Sequence, residues 1–264
     1  MAVSDSMASA AKSITATHSG HVKKTGKPVI ELRDVWKVYR MGEVEVPALR
    51  GLTLTVREGE FVAIMGPSGS GKSTSMNMVG CLDVPTKGSV LLDGNDISTL
   101  QESDLAQIRG KKIGFIFQQF NLVMTLTALE NVMLPMVFQG IPKEERVSKA
   151  ESLLALVGLQ DRINHRPSEL SGGQQQRVAI ARSLANDPQM ILADEPTGNL
   201  DSTTGESVMS FLTDLNKKRG KTIVLVTHDE HVASHADRIE ILKDGAVIKT
   251  KYNPNHKKAK VENA

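Results

Sequence analysis

The chain has 264 residues, 40% hydrophobic and 23% charged, with 21 Gly and 10 Pro. That composition excludes collagen-like, coiled-coil and wholly disordered chains, and the length suits one large or two small domains with an ordinary core. Lys plus Arg (32) against Asp plus Glu (30) leaves a net charge of +2, and only 3% of residues are aromatic, so no nucleic-acid partner is expected.

In chain order, residues 1–27 are rich in Ala, Ser and Thr without a hydrophobic period and read as a disordered arm. They lack an apolar run after a basic start, so no secretory leader is expected. Strand patterns follow at residues 29–36, 52–56, 61–65 and 88–92, and Asp93-Gly94 marks a tight turn. A further strand pattern covers 113–117. From about 119 to 167 the signals are helical. Thr127 and Glu130 form a capping box, Pro142 with Glu144 and Glu145 opens a second helix, and Gly158 suits its stop. Val147, Ala150, Leu154 and Val157 line one face of that helix. Strand patterns return at 190–193, 223–226, 239–243 and 246–250, with Asp244-Gly245 between the last two. Ile223-Val224-Leu225-Val226 is apolar at every position, as in a strand covered on both faces, so an α/β fold with a parallel central sheet is expected.

The main domain is therefore expected at 28–249, with a helical insertion at about 119–167 and a solvated basic tail at 250–264. Lys251, Lys257, Lys258 and Lys260 make that tail able to meet anionic lipid. The most apolar stretch, 122–138, is broken by Glu130, Asn131 and Pro135, so no membrane span is expected. The single cysteine, Cys81, has no partner for an internal disulfide and reads as a small core residue in a reducing compartment. Met124, Met133 and Met136 read as packing residues more readily than as a site, with exposure of some of them the alternative.

Three motifs carry chemistry. Gly66-Pro67-Ser68-Gly69-Ser70-Gly71-Lys72-Ser73 follows the strand at 61–65 and fits a phosphate-binding loop. Glycines let successive N–H groups face one anion, and a helix starting near Gly71 adds its positive end. Lys72 supplies a charge to the β/γ-phosphates, and the Ser73 hydroxyl suits Mg²⁺. Second, Met190-Ile191-Leu192-Ala193-Asp194-Glu195 is an apolar strand ending in two carboxylates. Asp194 can hold Mg²⁺ through water, and Glu195 can orient and deprotonate a water attacking the γ-phosphate. Third, Leu170-Ser171-Gly172-Gly173-Gln174 precedes a helix. Ser171 and Gln174 form a capping box, but a cap does not call for two glycines, each costly in backbone entropy. They make sense if a second phosphate contact approaches the backbone there.

Residues 170–174 resemble the signature of ATP-binding cassette proteins, and the resemblance runs from about residue 29 to 249. The stretches from Asn77 to Asp83, Phe117 to Leu122, Leu126 to Val132 and Leu192 to Asp201 are similar more narrowly to the macrolide-exporter and lipoprotein-release group, which includes the cell-division cassette. Ser75-Met76 departs from that group, which usually has larger aliphatics there. The resemblance implies a P-loop cassette fold with a mainly parallel core sheet, an antiparallel β-subdomain and a helical insertion. It implies ATP and Mg²⁺ as ligands, with Gly66, Pro67, Ser68, Gly69, Ser70, Gly71, Lys72, Ser73 and Thr74 around the phosphates. Tyr39 matches the aromatic that stacks on adenine; Trp36 is the alternative, although it falls within a strand pattern. Gln118 matches a residue reaching Mg²⁺ and the attacking water, and His228 one contacting the γ-phosphate. Asp201 either N-caps the next helix or, by resemblance, sits at a dimer seam. Ser171, Gly172, Gly173 and Gln174 are implied to close the nucleotide of a second copy in an ATP-dependent head-to-tail homodimer. The implied function is an ATPase subunit at the cytoplasmic face of the inner membrane. It would drive a separate membrane permease, in export or in mechanical force transmission. A soluble cassette acting in DNA repair or translation is the alternative.

Overall fold

A computed structural model describes residues 26–253. The expected arm, up to residue 25, and most of the expected tail lie outside the described residues. The chain opens with strands β1 (Pro28–Met41), β2 (Val44–Arg57) and β3 (Phe61–Met65), followed by helix α1 (Lys72–Val79). Strands β4 (Lys87–Leu92) and β5 (Asn95–Asp96) lead to α2 (Glu102–Lys112) and β6 (Ile113–Ile116). Helices α3 (Ala128–Phe138), α4 (Lys143–Leu156) and α5 (Gly172–Ser183) come next. The last part runs β7 (Met190–Asp194), α6 (Ser202–Arg219), β8 (Thr222–Thr227), α7 (Glu230–Ala233), β9 (Arg238–Lys243) and β10 (Ala246–Tyr252).

These strands form two sheets. The antiparallel sheet has order β2-β1-β4-β5, and the core sheet has order β10-β9-β3-β8-β7-β6. In the core sheet β9, β3, β8, β7 and β6 run parallel and β10 pairs antiparallel with β9. Side chains alternate between its faces. Phe61, Ala63, Ile191, Ala193, Ile223 and Leu225 pack under α5, α6 and the helical insertion. Val62, Ile64, Met190, Leu192, Val224 and Val226 pack on α1 and the antiparallel sheet. Every residue of β8 is buried, as its unbroken apolar run requires. Truncating such a side chain to Ala costs about 2–5 kcal/mol.

Both expected tight turns form. Asp93 and Gly94 have φ of 53° and 85°, and Asp244 and Gly245 have 50° and 81°, the left-handed pairs of two-residue hairpin loops. The Thr127 capping box closes the first turn of α3, and Gly158, at φ 73°, follows the end of α4.

The structure departs from the expected elements at several points. α2 has no counterpart in the sequence reading, because only Leu105 on it is buried and no apolar stripe exists to detect. The eight residues from Val44 to Gly51 belong to β2, although Pro47 and high exposure hid them; β2 is an edge strand, where proline is tolerated. Residues 250–252, expected in the tail, belong to the sheet: Thr250, Lys251 and Tyr252 pair with Glu240, Ile239 and Arg238 in β10. Cys81 is core at 1% exposure, as is Met136 at 0%; Met133 packs partly buried against the core, and Met124, 56% exposed, follows the alternative reading.

Candidate functional site

Sheet register gathers the motifs on one edge. Met65 at the end of β3 pairs with Thr227, Val226 pairs with Asp194, and Ala193 pairs with Ile116 at the end of β6. Adjacent strands lie about 4.8 Å apart, so the chain leaves all of them side by side. The loop beginning at Gly66, the carboxylates at 194 and 195, His228 and Gln118 therefore share the C-terminal edge, where open α/β sheets collect ligands.

The loop from Gly66 to Gly71 is held from behind. Gly245 N–H donates to the Ser70 carbonyl at 3.0 Å, and Arg50 N–H donates to the Gly245 carbonyl at 2.9 Å. A Cβ on Gly66 would sit 2.4 Å from the Leu242 carbonyl oxygen, and one on Gly71, at φ 96°, 2.7 Å from the Ala48 carbonyl. Only glycine allows this backing. Gly69, at φ 75°, faces open space on the other side. α1 begins at Lys72 with Gly71 as N-cap and no side-chain cap, so its first N–H groups remain for an anion. Lys72 Nζ folds back to the carbonyls of Gly66 (2.8 Å) and Pro67 (2.9 Å). Ser70 Oγ is buried without a hydrogen-bond partner. Ser73 is exposed at the helix start with Thr74 beside it. Ser75, where an aliphatic was the norm, is buried and donates to the Lys72 carbonyl at 2.7 Å.

Asp194 closes β7. Burial raises its carboxyl pKa, Glu195 next to it raises it further, and Lys72 opposes both. Glu195 takes φ 44°, a strained value for this residue, with its N–H bonded to the Val226 carbonyl at 2.9 Å. That turn aims its side chain at the next strand. Glu195 Oε1 accepts from His228 Nδ1 at 2.6 Å and from His228 N–H at 3.1 Å, and Oε2 accepts from Thr227 Oγ1 at 3.2 Å. Thr227 escaped the sequence reading; its hint was a hydroxyl ending a wholly buried strand.

Gln118 lies two residues past β6, against the turn after Glu195. A Cβ on Gly198 would be 2.7 Å from Gln118 Nε2, and Asn199 Nδ2 donates to the Gln118 carbonyl at 2.9 Å. Arg182 on α5 holds the same segment through the carbonyls of Phe120 (2.8 Å) and Asn121 (2.5 Å). Gln176 on α5 donates to the Pro196 carbonyl at 2.6 Å. Neither residue was singled out from the sequence, because both act on carbonyls far along the chain. Together they tie α5 to the two segments leaving β6 and β7.

The signature residues sit apart from the phosphate loop. Ser171 is exposed and accepts from Gln174 N–H at 3.3 Å, while Gln174 Oε1 accepts from Ser171 N–H at 3.0 Å. Gly172 packs on Phe120 and Leu200, and a Cβ on Gly173 would come within 2.4 Å of Thr204 Cγ2. Asp201 N-caps α6 through Thr204 N–H at 3.0 Å. Tyr39 lies on β1, half-buried, with its hydroxyl donating to Asp83 Oδ2 at 3.2 Å and Lys37 Nζ 5.2 Å from its ring. Trp36, on the same strand, donates to Asp34 Oδ1 at 3.3 Å.

The family described as ABC transporter matches residues 49–198. The chain belongs to the ABC transporter family. An uncharacterised ABC transporter ATP-binding protein of Thermotoga maritima is 57% identical over 221 residues, 84% of this chain and 94% of that protein. The macrolide export ATP-binding/permease protein MacB of Brucella melitensis is 52% identical over 223 residues; this cassette spans 34% of that longer protein. The ATP-binding cassette MJ0796, solved as a dimer in a post-hydrolysis state with ADP and Pi, superposes with a TM-score of 0.79. It is 52% identical, covering 85% of this chain and 98% of its own. The α/β architecture above is thus an ABC cassette: a mainly parallel core sheet, an antiparallel sheet and a helical insertion.

Proposed function

We propose that this cassette is an ATP-hydrolysing subunit that dimerises around two ATP molecules and drives a separate membrane permease. The carrying observation is the meeting of the phosphate loop, Asp194, Glu195, His228 and Gln118 on one sheet edge. Backbone N–H groups from Gly66 to Thr74 and the end of α1 receive the phosphates, and Lys72 leaves its loop carbonyls for the β/γ oxygens. Ser73, Gln118 and Asp194 offer oxygen donors, the set that suits Mg²⁺, and burial of Asp194 beside Glu195 makes a cation welcome there. Bound Mg²⁺ would neutralise phosphate charge. Glu195 orients the attacking water and accepts its proton, and His228 reaches the γ-phosphate. Tyr39 stacks on adenine.

Ser171 is exposed at the N-cap of α5, and Gly172, Gly173 and Gln174 follow it partly exposed, which supports their closing the nucleotide of a second copy arranged head to tail, with Asp201 at the seam. Loss of the γ-phosphate removes that bridge and loosens the pair. Gln118 passes the change to the helical insertion, which α5 holds through Arg182. Between α2, the 117–121 segment and α5 lies a cavity of about 380 Å³, lined by Leu82, Arg109, Phe117, Pro135 and Arg182, among others; it suits a permease element. Among the described residues no helix is long and apolar enough to cross a membrane. The family match supports placing the cassette against a membrane permease, at the cytoplasmic face of the inner membrane. Export or mechanical force transmission is favoured, given the likeness to the macrolide export protein.

The test is Glu195→Gln. Phosphate release should fall about 10²–10⁴-fold while ATP-bound dimers accumulate on gel filtration. Wild-type turnover in that variant would reject Glu195 as the base.

A further inference from the structure

We propose that Glu206, His231 and His235 form a binding site for one divalent transition-metal ion of the zinc class, distinct from the Mg²⁺ that accompanies the nucleotide. The proposal does not rest on the ATPase reading.

The placement is set by local folding. Glu206 lies in the second turn of α6, after its Asp201 cap. Asp229 caps α7 through the N–H groups of His231 (2.7 Å) and Val232 (3.2 Å), fixing where His231 leaves the backbone. The spacing of four brings His231 and His235 to one side of that turn. Glu206 Oε2 is 3.1 Å from His231 Nε2, and Glu206 Oε1 is 3.7 Å from His235 Nε2. The candidate ligand atoms all lie within 4.8 Å of one another. Tetrahedral zinc with bonds of about 2.0–2.1 Å holds its ligand atoms about 3.3 Å apart, so the carboxylate and the two rings would draw slightly together around an ion. The rings meet edge to face, with centroids 5.7 Å apart, so both can address the same carboxylate.

The proton arrangement adds a second argument. Thr213 Oγ1 donates to the Met209 carbonyl at 2.8 Å, so toward His235 Nδ1, 3.4 Å away, it can only accept. The His235 proton is thereby placed on Nδ1 and its lone pair on Nε2, on the side of Glu206. A ring lone pair and a carboxylate oxygen 3.7 Å apart repel unless a proton or a metal ion lies between them. A metal ion between them satisfies both groups. The Thr213 bond is the outer contact that metal-binding imidazoles ordinarily have. Two imidazoles and one carboxylate suit zinc-class ions and not Mg²⁺. His231 is 74% and Glu206 54% exposed, so water completes the coordination. The bound ion would clip the segment following His228 to α6.

The experiment uses the full chain, stripped of metal and free of nucleotide. Zn²⁺ is titrated by calorimetry against a competing chelator, Co²⁺ is followed by its visible absorption, and Tm is read with and without Zn²⁺. One ion per chain should bind, with a Tm rise of several degrees and tetrahedral Co²⁺ bands. His231→Ala and Glu206→Gln alter exposed side chains, so both should fold; each should weaken Zn²⁺ binding at least about tenfold and remove the Tm rise. Binding equal in wild type and both variants would place the ion elsewhere and overturn the proposal. So would the absence of binding at about 100 μM Zn²⁺, which would leave a plain hydrogen-bonded clip.

Discussion

Glu195 and His228 share a 2.6 Å hydrogen bond from imidazole Nδ1 to carboxylate Oε1, linking the exits of β7 and β8. Neither residue is positioned by its own strand alone. The strained backbone of Glu195 aims its carboxylate across, and the ring of His228 holds it there. Proton position on the ring follows: the carboxylate oxygen accepts, so Nδ1 carries the proton of this bond.

His228→Ala should therefore lower kcat about 10²-fold, with the KM for ATP changed by less than about threefold. Steady-state phosphate release measures both. Unchanged kcat would show that the bond is packing and not catalysis.

Ser171→Arg places a bulky cation on an exposed helix start that makes no part of the chain's own phosphate loop. Isolated chains should still bind a fluorescent ATP analogue, while ATP-dependent dimers and turnover disappear. Mixing Ser171→Arg with Lys72→Ala chains should recover dimers, because a head-to-tail pair then holds one intact composite site. If each pocket were closed by its own chain, the mixture would recover nothing.

Arg238 is the buried tie between the two sheets. Its Nε donates to Glu60 Oε1 at 3.0 Å, its guanidinium also bonds Glu240, and it donates to the Thr55 carbonyl at 2.6 Å. Glu60 and Glu240 are 5% and 3% exposed, so removing the cation strands two buried carboxylates. Arg238→Met should destabilise the fold by about 3–5 kcal/mol in urea unfolding. Adding Glu240→Met should recover part of that loss.

Burial pushes the Cys81 thiol up to about 12, with Arg109 opposing weakly. An unfolded thiol titrates near 8.5, so at pH 8 it would react readily. The folded chain should resist iodoacetamide at pH 8 and be labelled fully in urea, as mass spectrometry would show. The raised value stabilises the fold below about pH 8.5, and that contribution fades as pH climbs toward 12. Native labelling at the unfolded rate would contradict this burial.

Much of the fold was legible because its signals are local. Thr127 with Glu130, Ser171 with Gln174, the Asp-Gly hairpin turns and the apolar run of β8 each depend on residues within a few positions. α2 was not legible: its charges are placed well for a helix, Glu102 and Asp104 first and Arg109, Lys111 and Lys112 last, yet it buries too little to leave a period. The same holds for the exposed first half of β2.

By itself the sequence determined the phosphate loop, the carboxylate-ended strand, the signature turn and the family they resemble, since curling, capping and strand burial are written in neighbouring residues. Tertiary structure alone decided the Glu195–His228 bond, the grip of Gln176 and Arg182 on distant carbonyls, and the meeting of Glu206 with His231 and His235. Those contacts join residues 20 to 62 positions apart. Sheet order and helix packing, set by the whole core, bring such partners together, and no local pattern encodes it.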